Sequence, residues 1–209
     1  MGHLFLDIET YSAEQNEESS LNPYMPESKV LLIAYNYYGG FRPPVKSEIR
    51  PPTFLKEWEG GERELLAKFF ALLRDLQRKD PFLKIHGFNI LKFDLPYLFG
   101  RMKVHGLAPE RELHDMLFSP FGIDMMQLSS VISDGTRNRE QLWGISQTDA
   151  NRFFHIQLKE GTGKDCSRFY VAREYDRIID YCTQEFTFEQ LLNSFYLYVR
   201  TLMAEKQET

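Results

Sequence analysis

The chain opens on an apolar run that is interrupted in a regular way. In HLFLDIET, His3 to Thr10, the residues Leu4, Phe5, Leu6 and Ile8 predict a short, largely buried strand, yet Asp7 and Glu9 stand inside it. Side chains two apart on a strand share a face. The two carboxylates therefore project together, while Leu6 and Ile8 face the other way. Buried carboxylates are costly unless they are paired, hydrogen-bonded or bound to a cation, so this strand raises the question of what its acids hold.

The rest of the pattern alternates strand with helix. Tyr11 to Lys29 is polar, carries Pro23 and Pro26, and reads as a long loop beside the acidic pair. VLLIAYNYY, Val30 to Tyr38, is a strong strand closed by Gly39 and Gly40, and Phe41 to Arg50 is a third strand candidate interrupted by Pro43 and Pro44. Leu65, Leu66, Phe69, Leu72, Leu73 and Leu76 follow helical spacing and predict a helix over Glu62 to Lys79. Phe82 to Phe88 reads as a strand, and Asp94 to His105 as a helix with Pro96 in its first turn. Gly122 to Leu128 reads as a last strand, Ser129 to Arg173 as irregular, and Glu174 to about Lys206 as a long helix. No internal repeat, low-complexity tract or linker divides the 209 residues, so the expectation is a single α/β domain over 1–209.

Composition narrows this only a little. The chain is 43% hydrophobic, enough for a real core, and its net charge of −5 does not advertise nucleic-acid binding. A locally basic groove would suffice for that, and acidic metal ligands bias the sum. Cys166 and Cys182 form no disulfide framework or zinc cluster and read as reduced packing residues. With no signal peptide and no stretch near ~20 apolar residues, a soluble, intracellular (cytoplasmic) protein without membrane contact is the expectation.

Two further segments bear on the acids. In HGFNILKFDLPYL, His86 to Leu98, Asn89 starts a turn and Asp94 opens a helix, where a capping role would explain Asp94 but not Asn89. In IIDYCTQEF, Ile178 to Phe186, Tyr181 and Glu185 are four apart and share a helix face. Tyr170 and Glu174 have the same spacing at the edge of that apolar stretch. Taken in order, FLDIET, N-x-x-x-F-D and Y-x-x-x-acid resemble the three motifs of DEDDy-type 3′–5′ exonucleases. That group lies in the DnaQ-like, ribonuclease H-like superfamily, and the chain is close to the proofreading domain of B-family DNA polymerases. The family has Asp where this chain has Glu185, and the histidine variant of the superfamily would place a His where Asp180 stands.

The resemblance implies a three-layer α/β/α fold around a mixed sheet of about five strands. It implies a metal-dependent exonuclease that hydrolyses phosphodiester bonds at the free 3′ end of single-stranded nucleic acid, DNA favoured over RNA, with two Mg2+ or Mn2+ ions. Phosphodiester cleavage needs an activated water and a stabilised leaving oxygen, which two such ions supply, and hard ions want converging carboxylates. By resemblance Asp7, Glu9, Asp94 and Glu185 are the metal ligands and Tyr181 orients or helps deprotonate the water, and its usual pKa of ~10 makes it the better orienter at neutral pH. Thr10, Tyr11, Asn89 and Phe93 are the substrate contacts. Between Asp134 and Arg173 seven basic residues stand against five acidic ones, which suits a strand-binding flap or a solvated loop. Asp115 and Asp124 read as structural. Rival readings are a non-catalytic nucleic-acid-binding module with a decayed third motif, and an endonuclease of similar fold.

Overall fold

The acid-bearing strand lies at the centre of the molecule. Strand β1, Gly2–Tyr11, pairs with β2, Lys29–Gly39, on one side and β4, Leu83–Gly87, on the other. With β3, Thr53–Lys56, and β5, Phe121–Asp124, at the edges, the sheet order is β3-β2-β1-β4-β5. β1–β2 and β2–β3 are antiparallel, while β1–β4 and β4–β5 are parallel. This computed structural model describes residues 1–11, 22–132, 145–158 and 161–205.

The parity of β1 divides the core in two. Leu4, Leu6 and Ile8 pack with α2, Glu62–Lys79, α3, Asp94–Val104, and α4, Glu110–Phe118. Phe5, on the acids' face, belongs to a second core built from α7, Gly163–Val171, α8, Tyr175–Glu185, and α9, Phe188–Glu205. Helices thus cover both faces of a five-stranded mixed sheet, the three-layer ribonuclease H-like arrangement. Both cores are apolar, with Leu6, Leu66 and Phe69 fully buried in one and Phe5, Cys182 and Phe188 in the other.

Several elements differ from the sequence expectation. The third strand is Thr53–Lys56, and Phe41 to Arg50 holds only a 3-10 turn at Lys46–Glu48, because Pro43 and Pro44 can give no ladder N–H. Helix α4 had no counterpart in the pattern reading. The last strand stops at Asp124, whose side chain caps a short helix α5, Met125–Leu128. The short α1, Glu57–Gly60, follows β3 directly. Within Ser129 to Arg173 the described residues include α6, Gln147–Phe153, and α7.

The long terminal helix is two helices. The break follows Glu185, where Gln147 Nε2 donates to the Glu185 carbonyl at 2.7 Å and Asn151 Nδ2 to Thr187 Oγ1 at 3.0 Å. The first bond satisfies a helix-end carbonyl, and the second holds the Thr187 hydroxyl. Phe186 and Phe188, buried on either side of the break, anchor it in the second core. Among the described residues no helix is long and apolar enough to cross a membrane.

Candidate active site

The site is built where β1 outruns its parallel neighbour. β4 pairs with β1 only over Gly2 to Phe5 and ends at Gly87. A Cβ on Gly87 would lie 2.9 Å from the Leu6 carbonyl oxygen, so only glycine lets the chain turn away this close to β1. Past that point Ile8 N donates to Asp94 Oδ1 at 3.2 Å. Asp94 is the first residue of α3, and Phe93, not Asp94, holds the cap position. The Asp94 carboxylate is therefore shared between β1, where it sits between Asp7 and Glu9, and the N–H of its own helix's first residue. On the other edge of β1 the β2 pairing slips between Glu9 and Thr10, with Leu31 as the extra residue. Such bulges re-aim side chains and end regular pairing.

Asp7 and Glu9 face α7 and α8. Ligand atoms of Asp7, Glu9 and Cys182 all lie within 4.8 Å of one another, with Glu9 and Cys182 buried and Asp7 half-buried. Tyr181 is buried, and its hydroxyl hydrogen-bonds the Glu185 carboxylate one helical turn on. Burial pushes the Tyr181 hydroxyl far up, and the Glu185 and Glu9 charges act in the same direction, so it is a proton donor across the ordinary pH range. Asp94 is buried too. Burial pushes its carboxyl up to about 8, with the N–H bonds opposing and the Glu185 and Asp124 charges reinforcing the shift. Asp7, Glu9 and Cys182 are thus drawn within ligand distance of one another at the end of β1, and Asp94 and Glu185 stand near enough to join them, by a hydrogen bond to Ile8 N and by charge. A cluster of mutually repelling carboxylates, one of them held up by burial, is what a divalent cation relieves. Carboxylate oxygens are the donors a hard divalent cation takes.

The loop that delivers Asp94 is held by Asp124. Its Oδ1 accepts from Asn89 N and Met126 N, both at 2.9 Å, and its Oδ2 accepts from Leu91 N at 3.2 Å. Asn89 has φ 61°, a left-handed conformation that Asn tolerates better than most residues. Its carbonyl accepts from Lys92 N and Phe93 N. The sequence reading of Asp124 as structural agrees with this geometry, though the reading did not foresee which loop it holds. Asp115 is exposed on α4 beside Arg111.

The remaining residues singled out in the sequence fall around this centre. Phe93 and Asn89 line a groove of about 690 Å3 that continues along Pro96, Phe99 and Phe118. Tyr11 shares the acids' face and packs against Tyr170, 5.7 Å between ring centroids. Thr10 turns its hydroxyl toward Tyr97 of α3, the opposite side of the strand. Tyr170, of the alternative third motif, donates to Glu57 Oε2 at 2.6 Å and accepts from Lys29, and Glu174 pairs with Arg177. Asp180, at the position of the histidine variant, is exposed. Of the basic stretch from Asp134 to Arg173, residues 134–144, 159 and 160 lie outside the described residues. Arg152 and Arg168 pair with Asp149 and Asp165 on the surface.

Pattern reading missed the two cysteines as neighbours of the site. Cys182 Sγ donates to Asp7 Oδ2 at 3.5 Å, and the Cys166 thiol hydrogen-bonds Glu9. Burial pushes both thiols up, with the charges of the acids adding to it. The available signal was position: Cys182 lies between Tyr181 and Glu185, three residues before the latter and so on the same side of α8.

Comparison with protein-family models and with curated proteins gives no match. Among solved structures the chain is similar to the family B DNA polymerase from the hyperthermophilic archaeon Pyrobaculum calidifontis. The TM-score is 0.56 at 16% identity, over 88% of this chain and 23% of the polymerase. The chain thus spans about a quarter of that protein's length, and at this identity the likeness is one of fold.

Proposed function

We propose that residues 1–209 form one 3′–5′ exonuclease domain of the DEDDy type. It hydrolyses phosphodiester bonds at the free 3′ end of single-stranded nucleic acid, DNA before RNA, with two divalent cations, Mg2+ or Mn2+. The observation that carries this reading is the convergence of Asp7, Glu9, Asp94, Glu185 and Tyr181 at the end of β1 from three separate elements. The polymerase-like fold supports it.

In this reading Asp7, at the mouth of the cluster, would serve both ions, Glu9 and Glu185 would join it in holding one, and Asp94 would serve the other. Bound there, the ions would supply an activated water and charge stabilisation for the departing 3′-oxygen. The protein's own part is orientation. Tyr181 stays protonated, so it hydrogen-bonds the attacking water and leaves proton removal to other groups. Its bond to Glu185 fixes the ring in place. The Ile8 N–H holds the Asp94 carboxyl at β1, between Asp7 and Glu9. Asn89 and Phe93 border the groove beside Asp94, where the terminal bases stack. Glu185 is longer than the family's Asp by one bond, about 1.5 Å, and it stands at the last turn of α8, where the helix break at Phe186 and Thr187 sets its depth.

The test is degradation of matched single strands labelled at the 5′ or the 3′ end, with Mg2+, with Mn2+ and with chelator. Mononucleotides released from the 3′ end only when the metal is present are expected. Cutting of closed single-stranded circles would make the protein an endonuclease, and tight strand binding without cleavage in either metal would leave a binding module.

A further inference from the structure

Cys166 and Cys182 are the chain's only cysteines, and both thiols are buried against the acidic pair. Cys182 is the nearer to a coordination geometry. Its sulfur stands 3.5 Å from Asp7 Oδ2, and with Glu9 the three donor atoms lie within 4.8 Å of one another. A tetrahedral ion with a metal–sulfur bond of about 2.3 Å and a metal–oxygen bond of about 2.1 Å places sulfur and oxygen about 3.6 Å apart. The observed separation is already that edge. The half-buried Asp7 gives an ion a way in.

We propose that Asp7, Glu9 and Cys182 form a mixed oxygen–sulfur site for a thiophilic divalent cation, Zn2+ or Cd2+. On binding, the Cys182 S–H bond breaks, its proton leaves to solvent and a sulfur–metal bond forms, with no change of oxidation state. Hard ions gain little from a thiolate, so in their presence Cys182 stays a thiol and only donates to Asp7. The same carboxylates serve the proposed exonuclease centre. The consequence that Zn2+ or Cd2+ blocks it rests on that reading, while the binding itself does not.

The experiment is a titration of the metal-free protein with Cd2+, followed by equilibrium dialysis and by the ultraviolet sulfur-to-cadmium charge-transfer absorption. One Cd2+ per chain with a thiolate band is expected, displaced by Zn2+ but not by equal Mg2+. Cys182→Ser loses the band and weakens Cd2+ binding at least tenfold. Cys166→Ser keeps the band, and Asp7→Asn keeps it with weaker binding. Absence of the band in the parent, or its survival in Cys182→Ser, overturns the proposal. Should Cys182→Ser fail to fold by circular dichroism, the parent band together with an unchanged Cd2+ affinity in Asp7→Asn would overturn it instead. A cadmium–thiolate band without Mg2+- or Mn2+-dependent cleavage leaves this site standing and removes the exonuclease reading. Cleavage without the band does the reverse.

Discussion

The two faces of β1 are made from alternate residues of one strand and serve opposite ends. Leu4, Leu6 and Ile8 are buried among the apolar side chains of α2, α3 and α4. The other face begins the same way at Phe5 and then turns to Asp7 and Glu9, which meet Tyr181, Cys182 and Glu185 of α8. One face gains free energy from area removed from water. The other holds like charges close together in a part-buried place, an arrangement that repels until a cation enters. A strand can carry both because its parity keeps them a sheet's thickness apart. The stability of the apolar face is what keeps the acidic face in position.

This contrast can be tested residue by residue. Asp7→Ala should leave no detectable cleavage while the melting temperature of the metal-free protein holds or rises; near-normal turnover by the folded variant would remove the two-metal reading. One residue earlier, Leu6→Ala should cost about 2–5 kcal/mol of stability, read by denaturant unfolding, with whatever activity remains tracking the folded fraction. Equal melting behaviour of the two variants would erase the distinction between the faces.

Glu185→Asp tests how the longer ligand is accommodated. If the end of α8 is set for Glu, shortening it by one bond should lower single-turnover cleavage by up to about 10²-fold. The loss should be steeper in Mg2+ than in Mn2+, because Mg2+ demands stricter geometry. A rise toward faster cleavage in both metals would mean that Glu185 is a decayed position.

Asp124→Ala should cost about 1–3 kcal/mol, since three N–H groups lose their acceptor. Asp124→Asn, which can keep the oxygen that serves Asn89 and Met126, should recover most of that stability. Both variants should weaken metal binding, measured by calorimetry, if the loop governs where Asp94 sits; unchanged affinity in a folded Asp124→Ala protein would confine Asp124 to stability.

The last prediction is a pH dependence. The Asp94 carboxyl is raised to about 8 in the folded protein and returns to about 3.9 when unfolded. The folded state therefore holds the extra proton between those values. The stability this gives is full below about pH 3.9 and is lost as pH rises through about 8. In the metal-free protein Asp94→Asn should thus melt increasingly above the parent as pH rises from 5 to 8, and saturating Mn2+ should bring the parent back up at pH 8. A gap between parent and variant that shrinks over this range would contradict the buried, proton-holding state of Asp94.

Much of this was legible in the chain, and the physical reason is that it was local. Period-two alternation put Asp7 and Glu9 on one side of a strand, and helical spacing paired Tyr181 with Glu185 and drew the apolar stripe of α2. Motif order resembled a family whose fold matches the five-stranded mixed sheet. What tertiary structure decided was everything set by chain segments far apart. Phe186 and Thr187 carry no helix-breaking residue type, yet the helix ends there, with Gln147 reaching across to the Glu185 carbonyl and Asn151 to the Thr187 hydroxyl. Asn89 looked like a substrate contact and has in addition a backbone reason to be Asn, visible only once its left-handed turn is seen clamped by Asp124, 35 positions later. The cysteines read as inert packing because two thiols 16 residues apart make no pattern; folding α7 and α8 against one face of β1 set them against Glu9 and Asp7. Sequence alternation chose the face, and only the packing of distant helices chose what that face meets.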